Sequence, residues 1–265
     1  MNAELTHGSN RLLTVKDVSL KFGGVHALTD VSFDVFAHEV CSIIGPNGAG
    51  KSSMLNVLNG VYRPQEGTIS LNGVEKRRWS PQEVAKEGIA RTFQNIALFK
   101  GMTVLDNIQT GRCLMNKASV LSQAFRLAKS RREDDESREK AEELLEFLEI
   151  QAIRKTSVGQ LSYGLQKRVE LGRALAAEPK CLLLDEPMAG MSPDEKQDMT
   201  RFILQAKEAY GMTVVLIEHD LGVVMDISDH VIVLDYGIKI ADGIPEEIKR
   251  DQKVIDAYVG KNTDI

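Results

Sequence analysis

Apolar and polar residues alternate at Leu13–Val18 and again at Leu28–Val35, the period of strands with one buried face. Gly23-Gly24 lies between them, so the pattern predicts two early strands joined by a turn. Residues 67–73 read as a further short strand closed by an Asn72-Gly73 turn. Ser80 ahead of Pro81 marks the start of a helix running to about Gly88. From about Asn95 to Gly159 the alternation disappears and the chain becomes helix-rich. There the run Lys129–Glu143 is nearly all charged or small, which predicts a solvated helix face. Leu144, Leu145 and Leu148 follow at helical spacing and mark a side turned to the core. Beyond this, helix 162–176, strand 181–184, helix 194–209, strand 213–217, helix 220–226 and strand 231–234 succeed one another. Such alternation predicts a mostly parallel sheet covered by helices, with a helical lobe inserted into an α/β core.

At 265 residues the chain can bury a proper core as one large domain or two closely joined lobes. Its longest apolar runs, such as Val231–Leu234, fall far short of the roughly 20 residues that cross a bilayer. Met1–Leu5 lacks the basic and then apolar regions of a secretion signal. Three cysteines are too few and too scattered for a disulfide framework, and Cys41 and Cys181 lie in apolar runs as small core residues. A cytosolic location is expected. The net charge of -5 offers no electrostatic basis for gripping nucleic acid.

The candidate chemistry is concentrated in Gly45-Pro46-Asn47-Gly48-Ala49-Gly50-Lys51-Ser52-Ser53, which completes a G-x-x-x-x-G-K-S phosphate-binding pattern. The apolar run Val40–Ile44 leads into it and a helical segment follows. A strand that ends in glycines and opens into a helix aims successive backbone N–H groups at one point, where the helix's positive end also favours anions. Lys51 would reach the β- and γ-phosphates, and the Ser52 hydroxyl would sit on Mg²⁺. The expected fold class is therefore α/β: a P-loop NTPase core with an antiparallel β-subdomain leaning on the nucleotide site and an inserted helical subdomain. The apolar strand at Cys181–Leu184 ends in Asp185 and Glu186, and the ends of parallel strands are where ligands bind. Asp185 would hold Mg²⁺ directly or through a water, and Glu186 is the candidate base for the attacking water. Strand 213–217 likewise ends in Glu218-His219-Asp220, from which His219 could contact the γ-phosphate. Gln94 stands where the helical lobe begins; an amide there can bind the metal or its water without adding charge. Ser162 caps a helix carrying Lys167, Arg168 and Arg173, a second anion site. One ATP does not need two phosphate sites in one protomer, and the residues alone do not say why both are present.

Taken in order, Gly45–Ser53, Gln94, Leu161–Gln166, Asp185-Glu186 and His219 resemble the ATPase subunit of ABC transporters. The resemblance covers roughly residues 11–250 as a nucleotide-binding domain, with the helical subdomain at about 95–166 and a C-terminal tail at 251–265. It implies two ATPase subunits head to tail, identical or not, each ATP sandwiched between one phosphate loop and the partner's signature segment. Ser162 and Gly164 would then touch the γ-phosphate held by the opposite protomer, which accounts for the second anion site. The same resemblance implies that Phe22 stacks on adenine, Gln94 couples the site to the helical lobe, Glu186 is the catalytic base and His219 the switch histidine. Ser52, Gln94 and Asp185 would serve Mg²⁺. Within the family, Arg91–Phe99, Met102–Val104 and the endings at 242–248 and 254–260 resemble the branched-chain amino-acid uptake group. Its importers pair two ATPases with two membrane permeases and a substrate-binding protein acting through them. The implied protein powers amino-acid uptake from the cytoplasmic face of the membrane. Urea or aromatic-acid systems, an exporter, and a soluble ABC-type ATPase acting on nucleic acid are the alternatives. Two positions depart from the family pattern: Tyr163 replaces a glycine, and Ser192 replaces a frequent aspartate, which puts coupling between sites in question.

Overall fold

A two-residue hairpin opens the fold: Gly23, at φ 56°, and Gly24 let Phe22 pair with Val25. The strands on either side, Arg11–Phe22 and Val25–Phe36, are longer than their alternation predicts. Register shifts between Val15 and Lys21 break the two-residue period without ending the pairing. Glu66–Leu71 pairs with the first strand, and the turn at Asn72-Gly73 returns the chain as Val74–Lys76. The result is a four-stranded antiparallel sheet with Val15, Leu28, Val31 and Leu71 buried. Helix Pro81–Lys86 follows, closed by a reciprocal cap between Ser80 and Glu83.

This structure, a computed structural model, describes residues 10–92, 96–114 and 127–259, with backbone alone at 113–114 and 127–134. The chain divides into two compact units, Met1–Glu87 with Gly211–Ile265, and Gly88–Tyr210. The antiparallel sheet belongs to the first. So does Val40–Ile44, whose five residues are all buried between the parallel strands Thr213–Ile217 and His230–Asp235. Ile238–Gly243 adds an antiparallel edge that the sequence pattern did not reveal, because its residues are only half-buried. Helices Leu221–Ile227, Pro245–Ile248 and Gln252–Val259 contribute Val224, Ile248 and Val254 to a cluster with Ile44, Val231 and Val233.

An ion-pair network sits where Val40–Ile44 and His230–Asp235 begin. His230 Nε2 lies 2.6 Å from Asp242 Oδ1, and Nδ1 lies 3.3 Å from Glu39 Oε1. Burial opposes the charged imidazole, but hydrogen bonds to Asp242, Cys41 and Glu39 outweigh it and push its pKa up to about 12. A group raised above an ordinary value of about 6.5 stabilises the fold fully below that pH and loses its contribution as pH climbs toward the folded value. Melting temperatures of the wild type and His230→Gln are therefore expected to converge between pH 6.5 and pH 10. A gap that stays constant over that range would contradict the assignment.

In the second unit, Ile89–Arg91 runs parallel to Cys181–Asp185, and Gly88 O accepts from the amides of Lys180 and Cys181. The described helices there are Val104–Thr110, Leu127–Phe147, Tyr163–Leu175 and Pro193–Tyr210. Leu144, Leu145 and Leu148 are fully buried, whereas Asp135, Glu136, Arg138 and Glu139 face solvent, as the helical spacing predicts. Asn107 is buried among backbone groups, accepting from Phe99 N and donating to Phe99 O and Thr103 O. Cys41 and Cys181 are buried, and neither forms a disulfide. Among the described residues, no helix is long and apolar enough to cross a membrane.

Candidate functional site

In the first unit, Val40–Ile44 runs into a glycine loop and out into helix Lys51–Leu58. Gly45 has φ 150°, and a Cβ there would stand 2.1 Å from Leu234 O and 2.9 Å from Ala49 Cβ. Gly50, at φ 101°, would meet Ala27 O at 2.6 Å. Only glycine fits at these two points, so the loop closes on itself and on the adjacent strand. The helix begins at Gly50 with no side-chain cap and no acid in its first turn. Its leading amides and positive end thus face outward for an anion. Lys51 is buried and curls back over the loop, its Nζ donating to Gly45 O at 2.7 Å and Pro46 O at 3.0 Å. This fixes a positive charge above the cradle, which suits a polyphosphate. Gly237 N donates to Ala49 O and Thr29 N to Gly237 O, so the antiparallel sheet leans on the loop as the sequence suggested. The Tyr258 hydroxyl also hydrogen-bonds the Gly45 backbone, and burial pushes that phenol up to about 12. Tyr258 carries no motif that would have singled it out for this contact.

Phe22 stands at the hairpin end with 47% of its surface exposed, its ring 5.0 Å from and nearly perpendicular to that of Tyr62. An uncovered aromatic face held by a second ring is suited to stacking on a planar base. His219 is exposed beyond strand Thr213–Ile217, and its amide donates to the Glu218 carboxylate at 3.2 Å. Asp220 caps the following helix through Val223 N.

In the second unit, Asp185 ends its strand almost fully buried, and its Oδ2 accepts from Arg91 Nη2 at 2.8 Å. Its Oδ1 is sealed from solvent without a partner among the described residues. A buried carboxylate oxygen with unused lone pairs is the acceptor a hard divalent cation or its water takes. The donor set therefore fits Mg²⁺. Glu186 has φ 49°, a left-handed conformation that costs a non-glycine residue of order 1–3 kcal/mol and recurs at functional sites. Ala189 N donates to Glu186 O and turns the chain immediately after it. Arg91 opens a segment that carries the family resemblance, but the sequence gives it no role in the site; the available signal is a cation ending a short apolar strand.

Ser162 is the N-cap of Tyr163–Leu175, its Oγ accepting from Leu165 N. Tyr163 is 44% exposed, with its ring beside Gly190 and 5.8 Å from Lys167 Nζ. A Cβ on Gly164 would lie 2.1 Å from Glu195 Oε1, so glycine there admits the carboxylate. Glu195 in turn belongs to a reciprocal cap: Ser192 N donates to Glu195 Oε2 and Glu195 N donates to Ser192 Oγ. Ser192 thus has a helix-capping role, legible in Ser192-Pro193-Asp194-Glu195, and the hydrogen-bonding ability that serine keeps in place of the aspartate is used there. Gln94 lies outside the described residues.

Comparison with known proteins agrees with this geometry. The ABC transporter family profile matches residues 28–189, and that of the branched-chain amino acid ATP-binding cassette transporter matches 239–263. The chain is 39% identical to the high-affinity branched-chain amino acid transport ATP-binding protein BraF of Pseudomonas aeruginosa, covering 96% of this chain and 99% of that one. It is 36% identical to LivG of Escherichia coli, of the same description, with the same coverage. Among solved structures, a nucleotide-free ATP-binding cassette from an ABC transporter superposes with TM-score 0.81 at 36% identity, covering 94% and 98% of the two chains. The ADP conformation of an ATP-binding cassette of an ABC transporter gives TM-score 0.80 at 34% identity, covering 94% and 99%.

Proposed function

The chain belongs to the ABC transporter family as an ATP-hydrolysing subunit, and we propose that its hydrolysis powers uptake of branched-chain or related amino acids. The observation that carries this reading is likeness over nearly the whole length to ATP-binding proteins named for that transport, continued into the C-terminal segment 239–263. Residues 11–250 act as one nucleotide-binding domain, with a helical subdomain at about 95–166 and a short tail. Phe22 stacks on adenine. The loop Gly45-Pro46-Asn47-Gly48-Ala49-Gly50 and the amides of Lys51, Ser52 and Ser53 receive the phosphates, with the Lys51 amine on the β- and γ-groups. Ser52, Asp185 and Gln94 would hold Mg²⁺, which would supply neutralisation of phosphate charge. Glu186 takes a proton from the attacking water, and His219 orients the γ-phosphate end of the site. Ser162 and Gly164 complete the ATP site of a facing subunit, a copy of this chain or a relative. Two membrane permeases and a substrate-binding protein complete the importer, with this chain at the cytoplasmic face.

Proteoliposomes containing the chain with its co-purified permeases and binding protein test the reading. Internal ATP is expected to drive accumulation of radiolabelled leucine, isoleucine or valine, and Glu186→Gln to abolish it. ATP-driven transport of some other solute, with none of these three moved, would overturn the amino-acid assignment.

A further inference from the structure

We propose that Arg91 is a positioning residue for the metal carboxylate: by holding Asp185 Oδ2 it keeps Oδ1 presented to the divalent cation. This rests on the reading of Asp185 as a Mg²⁺ residue and adds a second side chain to that site. The contact is short and dry, 2.8 Å between Arg91 Nη2 and Asp185 Oδ2, with the two side chains 6% and 4% exposed. Strand register explains it. Arg91 lies opposite Leu183, and Thr92 N donates to Leu183 O at 3.0 Å. Asp185, two residues beyond Leu183, therefore shares a face with Arg91 on the neighbouring strand.

The chemistry follows from what each group can do. A carboxylate rotates about a broad, two-fold terminal torsion, so nothing intrinsic to aspartate decides which oxygen points where. A guanidinium is planar and permanently charged, so its bond to one oxygen fixes the plane of the other. The division of labour is visible in the molecule: Oδ2 is used and Oδ1 is buried without a partner among the described residues. Two other roles for Arg91 make different predictions. A purely structural ion pair would, when broken, lower stability without selectively changing metal affinity. A placeholder cation would compete with the metal, and its removal would tighten metal binding.

The test is Mn²⁺ titration of the full-length protein with ADP bound, followed by electron paramagnetic resonance of free Mn²⁺. ADP affinity in chelator and thermal unfolding are measured in parallel. Arg91→Gln is expected to weaken Mn²⁺ binding about 10–100-fold, the usual loss when an outer partner of a metal ligand is removed. Its metal-free ADP affinity should equal that of the wild type. Arg91→Lys, which keeps the charge but not the fork, should recover part of the loss and decides the matter if the glutamine variant does not fold. Unchanged or tighter Mn²⁺ binding in a folded Arg91→Gln, or full affinity in Arg91→Lys should the glutamine variant not fold, would overturn the proposal. Asp185→Asn separates the two levels: a loss confined to that variant removes only Arg91 from the site. No loss in Asp185→Asn removes the metal role itself.

Discussion

Glu186→Gln is expected to bind ATP as the wild type does and to lose roughly 10²–10⁴-fold in turnover, the scale of general-base catalysis. Glutamine preserves the size and hydrogen-bonding reach of the side chain but cannot accept a proton from water. The backbone at this position is left-handed, at φ 49°, and glutamate and glutamine share the same cost there, so the substitution isolates the chemistry from the fold. Phosphate release at saturating ATP, alongside a nucleotide titration, reads the two effects separately. Near-normal turnover with normal binding would remove Glu186 from the role of base.

Lys51→Ala is expected to act one step earlier, on binding. The Lys51 amine is buried and tethered to Gly45 O and Pro46 O, so its charge is already placed before any phosphate arrives. Removing it deletes charge-assisted hydrogen bonds worth about 1.5–3 kcal/mol, or roughly 10–100-fold in ATP affinity. It also removes the donor that draws those two carbonyls together. ATP affinity measured by calorimetry, with the unfolding temperature as a control, checks this. Unchanged affinity in a folded variant would show that the loop amides suffice without the lysine.

Much of this molecule is written locally in its sequence. Val40–Ile44, Cys181–Leu184 and Thr213–Ile217 are largely apolar runs because each is buried throughout, and their ends carry the phosphate loop, the paired acids and the histidine. Ser80, Ser162 and Asp220 signal helix starts because a short polar side chain answers an orphan amide within three residues. The features that the pattern does not reveal are short, half-buried like Ile238–Gly243, or non-local. Val74–Lys76 and Ile89–Arg91 are three residues each, too brief for a period to register. The Arg91–Asp185 and Tyr258–Gly45 contacts join positions far apart in the chain, and neither partner's neighbourhood hints at the other. Ser192 is a different case, since its capping pattern with Glu195 lies within four consecutive residues and is local.

Ser162 and Gly164 connect the two anion sites to a single function only if they act on nucleotide held by another subunit. An electron cryomicroscopy structure of the membrane complex carrying Glu186→Gln, saturated with ATP, addresses this directly. The account predicts each γ-phosphate between the Lys51 loop of one ATPase and the residue 162–164 segment, or its counterpart, of the facing one. A triphosphate enclosed wholly by a single polypeptide, with residues 162–164 reaching no ligand across the interface, would contradict it.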